Sequence, residues 1–147
     1  MAAFSSLQAL LRDPNPEVRD HASRALSGLA QVKDGYRPER ETVEQAQTRA
    51  KAARSALFAA LKDLDERIRA GVTLALGYVG AEIVPDLIAG LSDASPLVRL
   101  NVVRALDIDY RDASAALPAL RSRRSDPDPE VRGAVEATIK KILNGDP

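Results

Sequence analysis

Four stretches of the chain carry the same order of polar and apolar residues: Asp13-Pro14-Asn15-Pro16-Glu17-Val18-Arg19, Asp63-Leu64-Asp65-Glu66-Arg67-Ile68-Arg69, Asp93-Ala94-Ser95-Pro96-Leu97-Val98-Arg99 and Asp126-Pro127-Asp128-Pro129-Glu130-Val131-Arg132. In each, an Asp stands six residues before an Arg, and Val or Ile precedes that Arg. Four residues before the Arg comes Asn15, Asp65, Ser95 or Asp128. A short side-chain oxygen at that place accepts an orphan amide hydrogen of a first helical turn. The next position holds Pro16, Glu66, Pro96 or Pro129. Proline suits the first helical position because its missing N–H had no partner there, and Glu complements the positive helix end. Each copy predicts a tight turn followed by a helix start.

The apolar register continues past the Arg. Three residues on stand Ala22, Val72, Val102 and Val135; seven on stand Leu26, Leu76, Leu106 and Ile139, with Ala25, Ala75, Ala105 and Thr138 between. Spacings of three, four and seven mark one buried helical face, with small residues where helices approach closely. Leu7, Leu57, Leu87 and Leu120, each twelve residues before the Arg, mark a preceding helix, and Pro85 and Pro118 stand near its start in the last two copies. The predicted unit is helix A, a turn, then helix B. The arginines are 50, 30 and 33 residues apart, and helix pairs recurring at roughly 30 to 45 residues build an α-solenoid.

The unit resembles a HEAT repeat, and its shortness is similar to the HEAT-like repeats of bilin lyases and bacterial scaffold proteins. The resemblance covers nearly the whole chain except Gln31 to about Ser55. It implies one all-α, right-handed armadillo/HEAT-like superhelix of four helix-turn-helix repeats, at about residues 4–30, 42–80, 81–110 and 112–144. The family also carries an Asp in the turn and an Arg at the start of helix B. By that analogy Asp13, Asp63, Asp93 and Asp126 form a ladder with Arg19, Arg69, Arg99 and Arg132 through the turns. A catalytic constellation occurs once, whereas a device present in every unit is structural. The ladder is expected to hold the fold and to say little about function.

Residues 31–55 break the period. Lys33-Asp34-Gly35-Tyr36-Arg37-Pro38 reads as a loop. Thr42-Val43-Glu44-Gln45 has the form of a capping box, and Val43, Ala46, Ala50, Ala53, Leu57 and Leu61 keep helical spacing beyond it. This predicts an enlarged second repeat, with one A helix of about 20 residues, near 30 Å long, starting at Thr42 or as early as Pro38. Such a helix is expected to project beyond its neighbours, as a partner arm or a neutral insertion.

Composition narrows the chemistry. The 147 residues carry 21 Lys+Arg against 21 Asp+Glu, no cysteine and only 3% aromatic residues. Disulfides, thiolate metal sites and thiol nucleophiles are therefore excluded. The apolar stretches are too short to span a membrane and Met1–Leu11 does not read as a signal peptide, so a cytoplasmic protein is expected. Balanced charge removes the usual electrostatic footprint of a nucleic-acid binder, so no nucleic-acid partner is expected from it. His21 is the only histidine, and one imidazole without a second ligand or a nucleophile indicates a surface residue. The HEAT-like hydroxylases that bind iron need several His-Glu pairs, which are missing here. Asp126-Pro127-Asp128-Pro129-Glu130 imitates a calcium loop, but Val131 replaces its Gly and Ala137 its final Glu, so helix capping explains it better. Gly77-Tyr78-Val79-Gly80 lacks the rest of a phosphate loop. No catalytic residue, cofactor or metal site is expected.

Two surfaces remain. Arg121, Arg123 and Arg124 form the densest basic cluster, a candidate anion or nucleic-acid contact weakened by nearby Asp126, Asp128 and Glu130 and by the lack of stacking aromatics. Arg123 and Arg124 also fall where the earlier copies have Leu10/Leu11, Ala60/Leu61 and Gly90/Leu91, so the last A helix is expected to be short or more solvated. The second surface comes from positions one, four, five and eight after each ladder Arg, assigned to the inner curve. Leu74, Leu100 and Val103, with the adjacent Tyr78, then form an apolar patch, with Arg24 and Arg104 orienting a partner. The expected role is non-enzymatic: a scaffold binding a protein or peptide on the concave helix-B face. The resemblance leaves a bilin-lyase-like or chaperone-like auxiliary as one alternative, and a weak phosphate-backbone binder is another. Phe4, Leu7 and Leu11 at one end and Ile139, Ile142 and Leu143 at the other make end-to-end self-association a further expectation.

Overall fold

The turn before each B helix is built by a shared set of hydrogen bonds, complete in three copies; in the third copy the expected cap is not made, and the buried Ser95 Oγ has no hydrogen-bond partner. The Asp six residues before the ladder Arg accepts the N–H two residues on, at 2.8 Å from Asn15, 3.0 Å from Asp65, 2.8 Å from Ser95 and 3.0 Å from Asp128. The side chains of Asn15, Asp65 and Asp128 in turn accept the N–H of Glu17, Arg67 and Glu130, each at 2.9 Å. These bonds satisfy amides that a helix start leaves without an internal partner. From the far side, the ladder Arg points one guanidinium nitrogen, Nη1, at the two carbonyls opening the turn. Arg99 reaches Asp93 O at 2.9 Å and Ala94 O at 3.0 Å, and Arg19, Arg69 and Arg132 repeat the arrangement.

The computed structural model describes residues 2–30, 42–79, 83–108 and 113–144. Its helices are α1 (Ala2–Leu10), α2 (Pro16–Ala30), α3 (Val43–Ala60), α4 (Glu66–Leu76), α5 (Val84–Gly90), α6 (Pro96–Ile108), α7 (Leu117–Ser122) and α8 (Pro129–Asn144), with short 3-10 turns at Ala113–Ala116 and Arg123–Ser125. Each odd-numbered helix packs on the even-numbered helix that follows, and α2, α4, α6 and α8 pack side by side in that order. The protein is thus an all-α solenoid with one layer of A helices and one of B helices. Among the described residues no helix is long and apolar enough to cross a membrane.

The core lies between the layers. Leu26, Leu76, Leu106 and Ile139 from the B helices meet Leu57, Leu87 and Leu120 from the A helices, all essentially sealed from solvent. Burying each such side chain contributes roughly 1.5–3 kcal/mol. Pro85 and Pro118 sit in the first turn of α5 and α7. The last A helix is short, six residues, before the chain tightens into the 3-10 turn holding Arg123 and Arg124.

The long A helix of the second unit is present but does not project. Thr42 caps it with both bonds of a capping box, its Oγ1 accepting Gln45 N–H at 3.2 Å and its own N–H reaching Gln45 Oε1 at 2.9 Å. Its added turns lie along α2: Ala46 and Ala50 are fully buried, and Arg49 Nη1 donates to Leu29 O at 2.6 Å. Alanine at these positions brings the two backbones together, and burial of that stripe outweighs extension into solvent. The loop expected at Lys33–Pro38, and a start at Pro38, fall outside the described residues.

Candidate interaction surface

The ladder couples the second unit to the third and the third to the fourth. Arg69 Nε and Nη2 grip Asp93 at 2.8 and 2.9 Å, and Arg99 Nε and Nη2 grip Asp126 at 2.8 and 2.7 Å. Arg99 and Asp126 are almost completely buried, their side chains 7% and 0% exposed. Each guanidinium therefore ties the turn of its own hairpin to the carboxylate of the following one, in the forked geometry that suits Arg and not Lys. The bond from Arg69 holds the Asp93 carboxyl below the usual carboxylate range against the opposing pull of burial, and Arg99 does the same for Asp126. Both arginines are pushed up by the same bonds. Asp65, held mainly by the Arg67 side chain, is lowered to about 2.

The first joint is built differently. Arg19 keeps its two carbonyl bonds, but its buried Nε has no hydrogen-bond partner. Asp63, in the position of Asp93 and Asp126, instead lies 3.4 Å from exposed Arg12. At the two ends of the stack, Asp13 keeps its bond from Asn15 and Arg132 keeps its carbonyl bonds. Of the three joints between the four hairpins, the ladder thus locks the second and the third.

The same stacking corrects the assignment of the binding face. Leu100 is 7% exposed and Val103 0%, so neither can present itself to a partner. Positions one, four and eight after the ladder Arg face the next B helix and not the inner curve. Asn101 Nδ2 donates to Ala70 O at 3.0 Å, and a Cβ on Gly77 would stand 2.9 Å from Ile108 Cδ1 and 3.0 Å from Ala105. In the last unit the corresponding Gly133, Glu136 and Lys140 are exposed.

The open side of the B layer lies five and nine positions after the Arg. The first row reads Arg24, Leu74, Arg104, Ala137, and the second Gly28, Tyr78, Ile108, Lys141. Arg24 and Arg104 are exposed, Leu74 is half-buried, and Tyr78 and Ile108 are 58% and 39% exposed. Four of the six candidate partner residues therefore lie on the open face, and Ile108 joins them. The signal for Ile108 was its equivalence to Tyr78. Arg24 pairs with Asp20 at 3.0 Å, both on the surface, and Lys141 holds Asp107 at 2.7 Å.

The other candidates are occupied elsewhere. Arg124 pairs with Glu136 at 3.0 Å, Arg123 donates to Ser92 Oγ at 2.9 Å, and Arg121 stands exposed in the last turn of α7. The three do not converge on a shared point. His21 is exposed, with Nδ1 2.7 Å from Glu17 O in its own helix. Asp128 caps α8 through Glu130 and Val131 N–H. Among the described residues no group of three His, Cys, Asp or Glu could hold a metal ion. At the ends, Leu11 and Ile139 are buried, Leu7 and Ile142 are partly buried, and Leu143 is exposed. On the A side, a groove of about 720 Å³ opens between α3 and α5, lined by Phe58, Leu61, Leu87 and Val98.

Comparison with known proteins agrees with this geometry. No curated protein matches the sequence. A solved structure with the same fold is that of an engineered protein, a target of the Northeast Structural Genomics Consortium. It is 20% identical and superimposes with a TM-score of 0.55 over 98% of this chain and 64% of the other. The chain thus spans under two thirds of that protein. The sequence profile described as HEAT repeat matches residues 3–33, and the one described as HEAT repeats matches residues 84–147. Together the two matches take in more than half of the chain, one at each side of the enlarged second unit, and the protein belongs to the HEAT-repeat family.

Proposed function

We propose that the four hairpins act as one non-catalytic scaffold that holds a protein or peptide on the open face of its B helices. HEAT repeats generally mediate protein–protein interactions, and this chain offers a place for one. The observation that carries the reading is the exposure of Tyr78 and Ile108 at equivalent positions of adjacent helices, beside Leu74 and flanked by Arg24 and Arg104. Of the seven large apolar side chains exposed among the described residues, Tyr78 and Ile108 are the pair that occupies equivalent positions of adjacent B helices. Large apolar side chains with arginine at their edge are the composition of interface centres.

The test compares proteins captured from a cell extract by the wild type and by a Tyr78→Asp/Ile108→Asp variant. Ile108 Cδ1 also packs against Gly77, so the double variant is paired with Tyr78→Asp alone, which leaves that contact in place, and each is compared with the wild type by circular dichroism. Loss of the captured proteins supports the reading; an unchanged set of captured proteins removes it.

A further inference from the structure

The spacing of the open face specifies more than an apolar partner. Asn101 bonded to Ala70 O, Gly77 against Ala105, and Lys141 on Asp107 fix α4, α6 and α8 as parallel neighbours in register. Packed helices stand about 8–10 Å apart. Arg24, Leu74 and Arg104 hold one register position on α2, α4 and α6, which pack side by side, so they form a line crossing the layer with a step of about 9 Å. The row with Tyr78 and Ile108 runs beside it, about 6 Å further along the helices by the standard rise.

A partner that reads this line needs side chains on one face at the same step. A β-strand repeats its face at about 6.6 Å, two residues of rise, which does not match. A polyproline-II segment has three residues per turn and rises about 3.1 Å per residue, so positions i, i+3 and i+6 share a face about 9.3 Å apart. An α-helix returns to its face after seven residues, at about 10.5 Å, but it is about 10–12 Å wide. That is nearly twice the separation of the two rows. The charges choose the side chains. Arg104 is exposed, and the neighbouring Asp107 is engaged by Lys141. Arg24 is 71% exposed and held only by a surface pair to Asp20, which a second carboxylate can displace.

We propose that the scaffold's partner is an extended polyproline-II segment of the form acid-x-x-apolar-x-x-acid, lying across α2, α4 and α6. Its acids meet Arg24 and Arg104, and its central apolar side chain rests on Leu74 against the wall of Tyr78 and Ile108. This rests on the reading of the open B-helix face as the interaction surface.

The test titrates the protein into fluorescently labelled synthetic peptides and follows anisotropy. The probe is Glu-Pro-Pro-Leu-Pro-Pro-Glu with blocked ends. Controls are the same peptide with Lys for both Glu, a peptide with its acids four residues apart, and a helical peptide with acids and Leu at seven-residue steps. The expected result is saturable binding of the probe, weakened about fivefold by Arg104→Ser, an exposed charge contact, and abolished by Tyr78→Asp/Ile108→Asp. The lysine and short-spaced peptides bind at least about tenfold more weakly if two surface charge contacts are lost. No binding of the probe, equal binding of the lysine peptide, or tighter binding of the helical peptide overturns the proposal. If the probe fails while captured cellular proteins still depend on Tyr78 and Ile108, only the peptide assignment falls. If that dependence is also missing, the interaction surface falls with it.

Discussion

Arg99→Ala is expected to cost more than the same truncation of Arg69, whose pair with Asp93 is less buried. The guanidinium makes two bonds to Asp126, at 2.8 and 2.7 Å, and two to the carbonyls of Asp93 and Ala94. Its loss strands a carboxylate that is fully buried, with only the Asp128 N–H left to it. Breaking a buried pair in this way costs about 3–5 kcal/mol, because the remaining charge is desolvated without compensation. For a chain of this size each kcal/mol lowers Tm by about 2–4 °C, so the expected fall is about 6–20 °C. Arg132→Ala deletes only carbonyl bonds at an exposed position and should cost about 1 kcal/mol, and Arg121→Ala, exposed at the end of α7, close to nothing. Urea and thermal unfolding followed by far-ultraviolet circular dichroism give all three values. Arg99→Met/Asp126→Leu adds a control: with both charges gone, the double variant should be more stable than Arg99→Ala alone. Equal losses for Arg99→Ala and Arg121→Ala, or a double variant worse than the single, would refute the claim that the joint is locked by this pair.

The carboxyls of Asp93 and Asp126 lie below their ordinary range when folded, so in acid the unfolded chain takes up protons first. Their contribution is complete above the unfolded value, about 3.9, and is lost as pH falls through the lower folded values. Urea midpoints measured from neutral pH downward should hold steady and then drop below about pH 4, with a smaller drop for Asp126→Asn; parallel curves for the two proteins would contradict this. Gly77→Ala, whose Cβ meets Ile108 and Ala105 at 2.9–3.0 Å, should cost about 1–3 kcal/mol. Gly71→Ala, inside α4 with nothing within 4 Å of its Cβ, should stabilise by about 0.5–1 kcal/mol. The same unfolding assay ranks the two, and a reversed order would place the α4–α6 contact elsewhere.

Much of the fold could be read from the sequence because the turn chemistry is local. Asp, the capping residue and Arg lie within seven residues of one another, and the apolar positions three and seven after the Arg face the A helices in every unit. The open face was harder, for a reason that lies in the stack. A B helix in the middle of a solenoid touches its own A helix and two neighbouring B helices, so three of its sides are buried. In α6 the buried residues run from Val98 to Val103 with no amphipathic break. A rule for helices with one wet side then places Leu100 and Val103 outside, where they are not. Two signals point the right way: Arg24 and Arg104 share one register position, and Gly77 marks a close backbone approach. The missing first rung had no local signature, since it depends on where α3 sets the second hairpin against the first.

The register of the B helices decides both the fold and the proposed interaction face, and the absence of cysteine from the chain allows it to be measured directly. Single variants Tyr78→Cys, Ile108→Cys and Val103→Cys can be timed in reaction with a soluble thiol reagent under native conditions. The account predicts labelling of the first two at rates near that of a free thiol. Val103→Cys should be slower by a factor of roughly 1,000 or more, since it must wait for unfolding. Reaction at position 103 as fast as at position 108 would contradict it.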